Sequence, residues 1–120
     1  MLKPCFIEDL VIKLKPRILP PNDYVIREDQ MGQEMYFVKR GQLQAFSEKT
    51  GKVYNVMAVG SFFGEIALLY DSRRTASVKT LTYCELFVLY KEDFDKVLKN
   101  YPKFSEEIKQ IAEKRYQSRE

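Results

Sequence analysis

The residues with the clearest chemical potential form one short stretch of the chain, FFGEIALLYDSRRTAS from Phe62 to Ser77. Gly64 lets the backbone approach a ligand closely, and a short helix beginning after it would present unpaired N–H groups to an anion. The carboxylate of Glu65 could accept hydrogen bonds from sugar hydroxyls, and Arg73 or Arg74 could fork onto a phosphate. Each feature alone is common in turns and on solvated surfaces. Their combination predicts a site for a sugar phosphate.

The amino-acid composition excludes several classes of enzyme and of binding site. The chain contains no histidine, which excludes histidine-dependent hydrolases and histidine-rich metal sites. A net charge of +3 suits a small anionic ligand but is too weak and scattered to predict nucleic-acid binding. No apolar run approaches the roughly 18–20 residues of a membrane span, so direct membrane insertion is not expected. Cys5 and Cys84 lack metal-ligand spacing and are predicted to be reduced thiols of an intracellular protein.

The elements that must position this stretch are short β-rich runs within a single domain of 120 residues. Glycines punctuate these runs at intervals of nine or ten residues, which is typical of an antiparallel sandwich or barrel. Residues 17–23, with two prolines and an asparagine, are predicted to be a turn. The candidate strands are Tyr24–Arg27, Met35–Lys39, Leu43–Ser47, Val53–Val59, Thr75–Lys79 and Cys84–Leu89.

Helical periodicity flanks the strands on both sides. Residues 4–15 carry one apolar stripe that Pro16 should end. After the strands, residues 91–101 and 103–118 are predicted to be helices, and Arg115 lies on the apolar face of the second one. Spacing alone leaves two interpretations of Arg115. In the first, the aliphatic part of the side chain covers the hydrophobic core and the guanidinium reaches water, and the spacing slightly favours this interpretation. In the second, the helix lies over a pocket and Arg115 contacts a ligand.

FGEIALL followed by RRTASV closely resembles the phosphate-binding cassette of the cyclic nucleotide-binding domain. The likeness covers almost the whole chain, including YVIRE from Tyr24 and MYFV from Met35. From Gly60 to Arg115 it resembles, without a gap, the domain of hyperpolarisation-activated, cyclic nucleotide-gated channels. The resemblance implies an α+β fold that is mainly β: an antiparallel, jelly-roll-like β-roll over residues 24–89, with the cassette at 62–77. A helix would precede the roll and two helices would follow it.

The resemblance implies a 3′,5′-cyclic purine nucleotide, cAMP or cGMP, as the ligand, with no cofactor and no metal. Glu65 would accept the ribose 2′-hydroxyl, Arg74 would pair with the cyclic phosphate, and Thr75 would bond phosphate or purine. Arg115, on the family's lid helix, would touch the purine, whereas Arg73 would face outward. The further residues expected to bind ligand are Phe63, Gly64, Ile66, Ala67 and Ala76, with Asn55 and Met57 at the purine end.

Two departures from the family pattern concern the fold and the choice of purine. Many members have glycine where Asp29 stands, and aspartate tolerates the same turn geometry. Some channels that prefer cGMP carry an acidic residue just beyond the position of Arg115, where this chain has Ser118 and Arg119. This difference favours cAMP, but Thr75 is compatible with either nucleotide, so the choice stays open.

No side chain is placed as a nucleophile or general base, so we expect binding without catalysis. By resemblance, the chain is expected to be a fragment: the cytoplasmic, ligand-sensing domain of a tetrameric channel, with the pore and linker helices as its partners. The alternatives are a regulatory module of a kinase or exchange factor, a transcription regulator, and a sugar-binding or structural barrel. Kinase cassettes commonly have alanine in place of Thr75. A transcription regulator would need a helix-turn-helix after the lid helix, for which we expect no room before the chain ends at Glu120.

Overall fold

The computed structural model describes residues 12–118 of the chain. Between these bounds the backbone forms eight strands, one short helix among them and two helices after them. The strands are β1 (Lys15–Leu19), β2 (Tyr24–Ile26), β3 (Glu34–Arg40), β4 (Leu43–Phe46), β5 (Val53–Met57), β6 (Phe62–Phe63), β7 (Ser77–Thr80) and β8 (Cys84–Tyr90). The helices are α1 (Glu65–Leu69), α2 (Lys91–Asn100) and α3 (Pro102–Ser118).

The strands form two four-stranded antiparallel sheets, in the orders β1-β8-β3-β6 and β2-β7-β4-β5. Side chains alternate between the faces of each sheet, so β8 sends Cys84, Leu86 and Val88 into the space between the sheets. Leu89 belongs to the opposite side, where the helices pack. The predicted antiparallel roll with flanking helices is confirmed.

A first apolar cluster fills the space between the two sheets and makes the roll a rigid frame. Both sheets contribute to it, so neither can shift without opening the interior. Its buried members are Leu19, Ile26, Tyr36, Val38, Leu43, Ala45, Met57, Phe63, Val78, Cys84, Leu86 and Val88.

A second apolar cluster joins the helices to the outer face of the first sheet. Met35 and Leu89 come from the sheet, Leu68 comes from α1, and Ile108 comes from α3. Phe94 and Val97 of α2 complete its buried part. The short helix that follows Gly64 and the last helix of the chain therefore share one packed interior.

The sequence patterns missed two strands and misplaced one helix end. Residues 15–19 form β1, where the end of a helix over 4–15 and the start of a turn over 17–23 were predicted, and β6 is only two residues long. β1 is an edge strand with four exposed residues before buried Leu19, so it lacks the alternation that identifies strands. The predicted helix over 4–15 ends at Lys13, because the residue before Pro16 is driven into extended conformation. Its residues 4–11 lie outside the described part.

The other element boundaries differ from the predictions by a few residues. Thr75 and Ala76 precede β7 rather than starting it, and β5 ends at Met57. Helix α2 ends one residue earlier than predicted, and α3 begins at Pro102. Among the helices of residues 12–118, none has both the length and the apolar character needed to cross a membrane.

Candidate ligand-binding site

The central feature of the site is a cavity between α1, the segment before β7 and the end of α3. We call it the inner cavity; it has about 330 Å³ of space, part of which is open to solvent. Its lining contains Phe63, Gly64, Glu65, Ile66, Ala67, Arg74, Thr75, Ala76 and Arg115, together with Ile26 and Val78. The fold thus brings the cassette residues predicted from the sequence to one place, and adds the arginine of the last helix.

Gly64 shapes the inner cavity through its backbone. It adopts φ 92°, a left-handed conformation that favours glycine, and this turns the chain from β6 into α1. A Cβ at this position would lie 2.9 Å from Nη1 of Arg74 and 3.2 Å from the carbonyl oxygen of Glu34. Glycine is therefore required for the conformation and for the close approach of the arginine.

Gly32, like Gly64, lies against the Arg74 side chain where a larger residue would not fit. A Cβ there would lie 2.4 Å from Cβ of Ala67 and 3.1 Å from Cζ of Arg74. The segment before β3 therefore passes directly against α1 and the guanidinium. The two glycines leave Arg74 a narrow slot into which its side chain fits.

Arg74 is almost completely buried, with 5% of its surface exposed. Its Nη1 donates to the carbonyl of Gly64 at 2.9 Å, and its Nη2 donates to the carbonyl and Oε1 of Glu34 at 2.6 and 2.9 Å. Burial lowers the pKa of Arg74, while the nearby Glu34 carboxylate opposes that shift. The result is a fixed, charge-paired cation on the wall of the inner cavity.

The backbone around Arg74 is held by the connection between β2 and β3. The Arg74 N–H donates to the carbonyl of Gln30 at 2.7 Å, and the Asp29 N–H donates to the carbonyl of Arg74 at 2.9 Å. Asp29 adopts φ 72°, which is the turn geometry that its side chain was expected to tolerate. Arg73 faces outward and is exposed, and its Nη1 donates to the carbonyl of Asp29 at 2.7 Å.

Arg115 connects the last helix to α1 through an ion pair with Glu65. Its Nη1 also donates to the carbonyl of Phe62 at 2.9 Å, and its Cζ lies 4.9 Å from the centroid of the Phe62 ring. Glu65 is 1% exposed, so its carboxylate depends on this partner, whereas the Arg115 side chain is 24% exposed. Of the two interpretations of Arg115, the geometry favours the one in which its helix lies over a pocket.

Tyr36 packs against Phe63, one of the residues that line the inner cavity. Its ring stacks on Phe63 with centroids 5.2 Å apart, and its hydroxyl accepts a hydrogen bond from Nη1 of Arg17 at 3.0 Å. Burial, with the Glu34 carboxylate as the next cause, raises the pKa of Tyr36 to about 12. The phenol therefore stays neutral near pH 7 and fixes the position of Phe63.

The two residues predicted at the purine end lie elsewhere. Asn55 is exposed on β5, which is an edge strand of the second sheet. Met57 is 3% exposed and packs in the cluster between the sheets. Neither lines the inner cavity, so their contact with a base stays a prediction.

A second cavity lies on the other side of the segment that carries the two arginines. This outer cavity has about 890 Å³ of space, much of it solvent. Nζ of Lys49 lies 3.7 Å from Oε2 of Glu28 and 3.5 Å from Oδ2 of Asp29. The lysine of this cavity is therefore paired with its two carboxylates. Its lining contains Glu28, Asp29, Lys49, Ser72, Arg73, Arg74, Thr75 and Tyr116.

Most of the chain matches a known protein family. The sequence profile of the cyclic nucleotide-binding domain matches residues 16–101 of the chain. The chain belongs to the cyclic nucleotide-binding domain family. The resemblance drawn from the cassette motif is therefore confirmed.

The curated relatives of this cyclic nucleotide-binding domain include channel proteins. The chain is 38% identical over 109 residues to potassium/sodium hyperpolarization-activated cyclic nucleotide-gated channel 4 of Homo sapiens, covering 91% of this chain and 9% of that protein. It is 40% identical over 102 residues to cyclic nucleotide-gated channel alpha-4 of Mus musculus, covering 80% of this chain and 18% of that protein. The chain thus spans less than a fifth of the length of these relatives.

Solved structures show the same fold. The catabolite activator protein of Thermus thermophilus superposes with a TM-score of 0.85 over 97% of this chain and 56% of its own, at 22% identity, which shows the fold alone. The regulatory domain of Toxoplasma gondii PKA, solved with cAMP, superposes with a TM-score of 0.75 over 80% of this chain and 38% of its own, at 26% identity. The cyclic nucleotide-binding domain fold is thus shared by regulators of different kinds.

Sequence reasoning missed Glu34, Tyr36 and the close approach of Gly32. These residues reach Arg74 and Phe63 only in the folded chain, where Glu34 lies 40 positions and Gly32 lies 42 positions from Arg74. The only signal in the sequence was an acidic residue immediately before a predicted strand. That signal is too common to identify the partner of one arginine.

Proposed function

We propose that this domain binds a 3′,5′-cyclic purine nucleotide in the inner cavity. The observation that carries the proposal is the Arg74 guanidinium, which is 5% exposed yet lines the cavity beside Gly64 and Glu65. A buried cation of this kind attracts an anion strongly because little water screens it. Arg74 would pair with the cyclic phosphate, and Glu65 would accept a hydrogen bond from the ribose.

Binding would act on α3 through Glu65. This carboxylate is already paired with Arg115, so a ribose hydroxyl that reaches Glu65 must share it with the last helix. A ligand that interacts differently with the docked and undocked positions of α3 would shift the population between them. We propose binding without hydrolysis, since neither histidine nor a cysteine lines the inner cavity.

We further propose that the domain is the cytoplasmic, ligand-sensing part of a tetrameric cyclic nucleotide-gated channel. Support comes from the identity of 38–40% to channel proteins over 80–91% of the chain. In this proposal the partners of the domain are the pore and linker helices of that channel. A regulatory module of a kinase is the second candidate, because structures of cAMP-bound PKA regulatory domains superpose at 26–27% identity. Sequencing of the complete coding region would discriminate between them through the presence or absence of membrane spans upstream.

Affinity chromatography tests nucleotide binding directly. We expect the protein to be retained on cAMP-agarose and to elute with free cAMP or cGMP. The Arg74→Ala variant should pass through the same column because its phosphate partner is missing. Passage of the parent protein, with its fold verified by circular dichroism, would contradict the proposed function. The ratio of free cAMP to free cGMP needed for elution measures the purine preference.

A further inference from the structure

We propose that Glu34 determines the charge specificity of the inner cavity, so that Arg74 accepts a singly charged phosphodiester and disfavours a doubly charged phosphomonoester. This inference rests on the proposed function, since it concerns which nucleotide phosphates the same site takes. The phosphodiester is the cyclic nucleotide, and the phosphomonoester is its hydrolysis product, represented by 5′-AMP. Discrimination between the two decides whether the site responds to the signal or to its breakdown product.

The carboxylate of Glu34 is held against the cation that a phosphate would use. Its Oε1 lies 2.9 Å from Nη2 of Arg74, and its own carbonyl oxygen accepts from the same nitrogen at 2.6 Å. Glu34 is the first residue of β3 and lies opposite Tyr90 of β8, so its backbone position is fixed by the sheet. A phosphate that contacts Arg74 must therefore share the guanidinium with this carboxylate.

The charges around the cavity already cancel before a ligand enters. Arg74 is paired with Glu34, and Arg115 is paired with Glu65. A cyclic phosphodiester adds one negative charge, whereas a phosphomonoester adds about 1.5 to 2 negative charges near pH 7 because its second pKa is about 6. The additional charge of the monoester would lie across the same buried guanidinium from the Glu34 carboxylate, whose side chain is 27% exposed and therefore only partly screened by water. The repulsion therefore falls mainly on the doubly charged ligand.

Glu34 also has a positioning role that one substitution can separate from its charge. Nη2 of Arg74 donates to two oxygens of Glu34, and Nη1 donates to Gly64. Within residues 12–118 these bonds use three of the five guanidinium N–H donors, which leaves the Nε–H and one Nη1–H for a ligand. Glutamine at position 34 keeps an acceptor of the same shape but removes the negative charge. The Glu34→Gln variant therefore changes the charge and leaves the guanidinium in place.

The test measures the affinities for cAMP and 5′-AMP by competition with a fluorescent cyclic nucleotide. We expect Glu34→Gln to raise the affinity for 5′-AMP, relative to that for cAMP, about tenfold or more at about pH 7.5. Glu92→Gln is the matched control, because it removes an exposed carboxylate of α2 that pairs with Lys96 rather than with Arg74. The control should leave the ratio unchanged. The cyclic phosphate differs from the open one in shape as well as in charge, but this difference in shape affects the parent protein and Glu34→Gln equally. A change in the ratio of the two affinities between the proteins therefore reports the charge of Glu34.

The parent protein provides a second test through the ionisation of the ligand. Lowering the pH from about 7.5 to about 5.5 converts 5′-AMP largely to a monoanion, while cAMP keeps one charge. The affinity for 5′-AMP, relative to cAMP, should therefore rise in the parent protein and rise less in Glu34→Gln. The charged and titratable groups that face the phosphate position or line the two cavities are Glu28, Asp29, Glu34, Tyr36, Lys49, Glu65, Arg73, Arg74, Arg115 and Tyr116. They are common to both proteins except at position 34.

The outcomes separate this inference from the proposed function. If the parent protein does not bind cAMP, the proposed function fails and the role of Glu34 fails with it. If cAMP binds but Glu34→Gln leaves the ratio of the two affinities unchanged, only the role of Glu34 is overturned. The same holds if the parent and the variant respond equally to pH. Should Glu34→Gln fail to fold, an unchanged ratio across pH in the parent protein would itself overturn the inference.

Discussion

The inner and outer cavities use the same residue types but differ in burial. Arg74 lines both cavities, with Arg115 and Glu65 on the inner side and with Arg73, Lys49, Glu28 and Asp29 on the outer side. In the inner cavity Arg74 and Glu65 are 5% and 1% exposed, whereas in the outer cavity the side chains of Lys49 and Asp29 are 68% and 63% exposed. Exposed ion pairs contribute about 0–1 kcal/mol, while removing one partner of a buried pair costs about 3–5 kcal/mol. Burial, rather than charge, distinguishes the candidate site.

The difference in burial arises because two glycines let the backbone lie against the Arg74 side chain. Gly32 and Gly64 bring β3 and the start of α1 against the Arg74 side chain, and Glu34 neutralises it there. Arg73 is exposed instead, and its described side-chain hydrogen bond goes to the carbonyl of Asp29. Substitutions on the two sides should therefore have unequal effects.

The largest effect is expected for the two arginines. Arg74→Ala should weaken cAMP binding by about two orders of magnitude or more, because it removes the buried cation that would pair with the phosphate. Arg73→Ala is the matched control and should change the affinity by less than about threefold. Titration calorimetry measures both. Equal affinities for Arg74→Ala and the parent protein would remove the basis for assigning the phosphate to the inner cavity.

A smaller effect should follow from breaking the pair between α1 and α3. Arg115→Ala leaves the buried carboxylate of Glu65 without this partner and should lower the free energy of unfolding by about 3 kcal/mol, the low end of the range for a buried pair, because the Arg115 side chain is 24% exposed. Glu65→Gln leaves Arg115 partly exposed to water and should cost less. Urea denaturation without nucleotide compares the two. If Glu65→Gln were the more destabilising, Arg115 would not be the residue that compensates the buried charge.

Nucleotide should also change the exchange behaviour of the last helix. Because Arg115 and Ile108 attach α3 to the inner cavity and the helical cluster, bound cAMP should increase amide protection over residues 103–118. Strand β4 of the roll, which does not line the inner cavity, should change little. Hydrogen exchange with and without saturating cAMP measures this difference. Unchanged protection of α3 at saturation would count against its coupling to the ligand.

The smallest effect is expected in the outer cavity. Lys49→Ala removes ion pairs with Glu28 and Asp29 at 3.7 and 3.5 Å, but its side chain is 68% exposed. Both the free energy of unfolding and the affinity for cAMP should therefore stay close to those of the parent, within about 0.5 kcal/mol. A loss of affinity as large as that expected for Arg74→Ala would mean that the outer cavity takes the phosphate.

The cassette was predictable from the sequence because its residues are contiguous. Gly64, Glu65 and Arg74 lie within one short stretch, and Arg115 was placed by helical periodicity together with the family resemblance. The partners of Arg74 were not predictable, because Glu34 reaches it through a strand 40 positions away. Glycine spacing predicted an antiparallel sandwich or barrel and the family resemblance implied the roll, but β1 was missed because four of its five residues are exposed. Local patterns show which residues can do chemistry, and sheet pairing decides which of them are buried together.

A crystal structure of the protein with bound cAMP tests the central claim most directly. We expect phosphate oxygens within hydrogen-bond distance of the Arg74 guanidinium, roughly 2.7–3.2 Å, and a ribose hydroxyl on the carboxylate of Glu65. Arg73 should make no contact with the ligand. A nucleotide whose phosphate lay in the outer cavity, between Arg73 and Lys49, would show that the inner cavity is not the phosphate site.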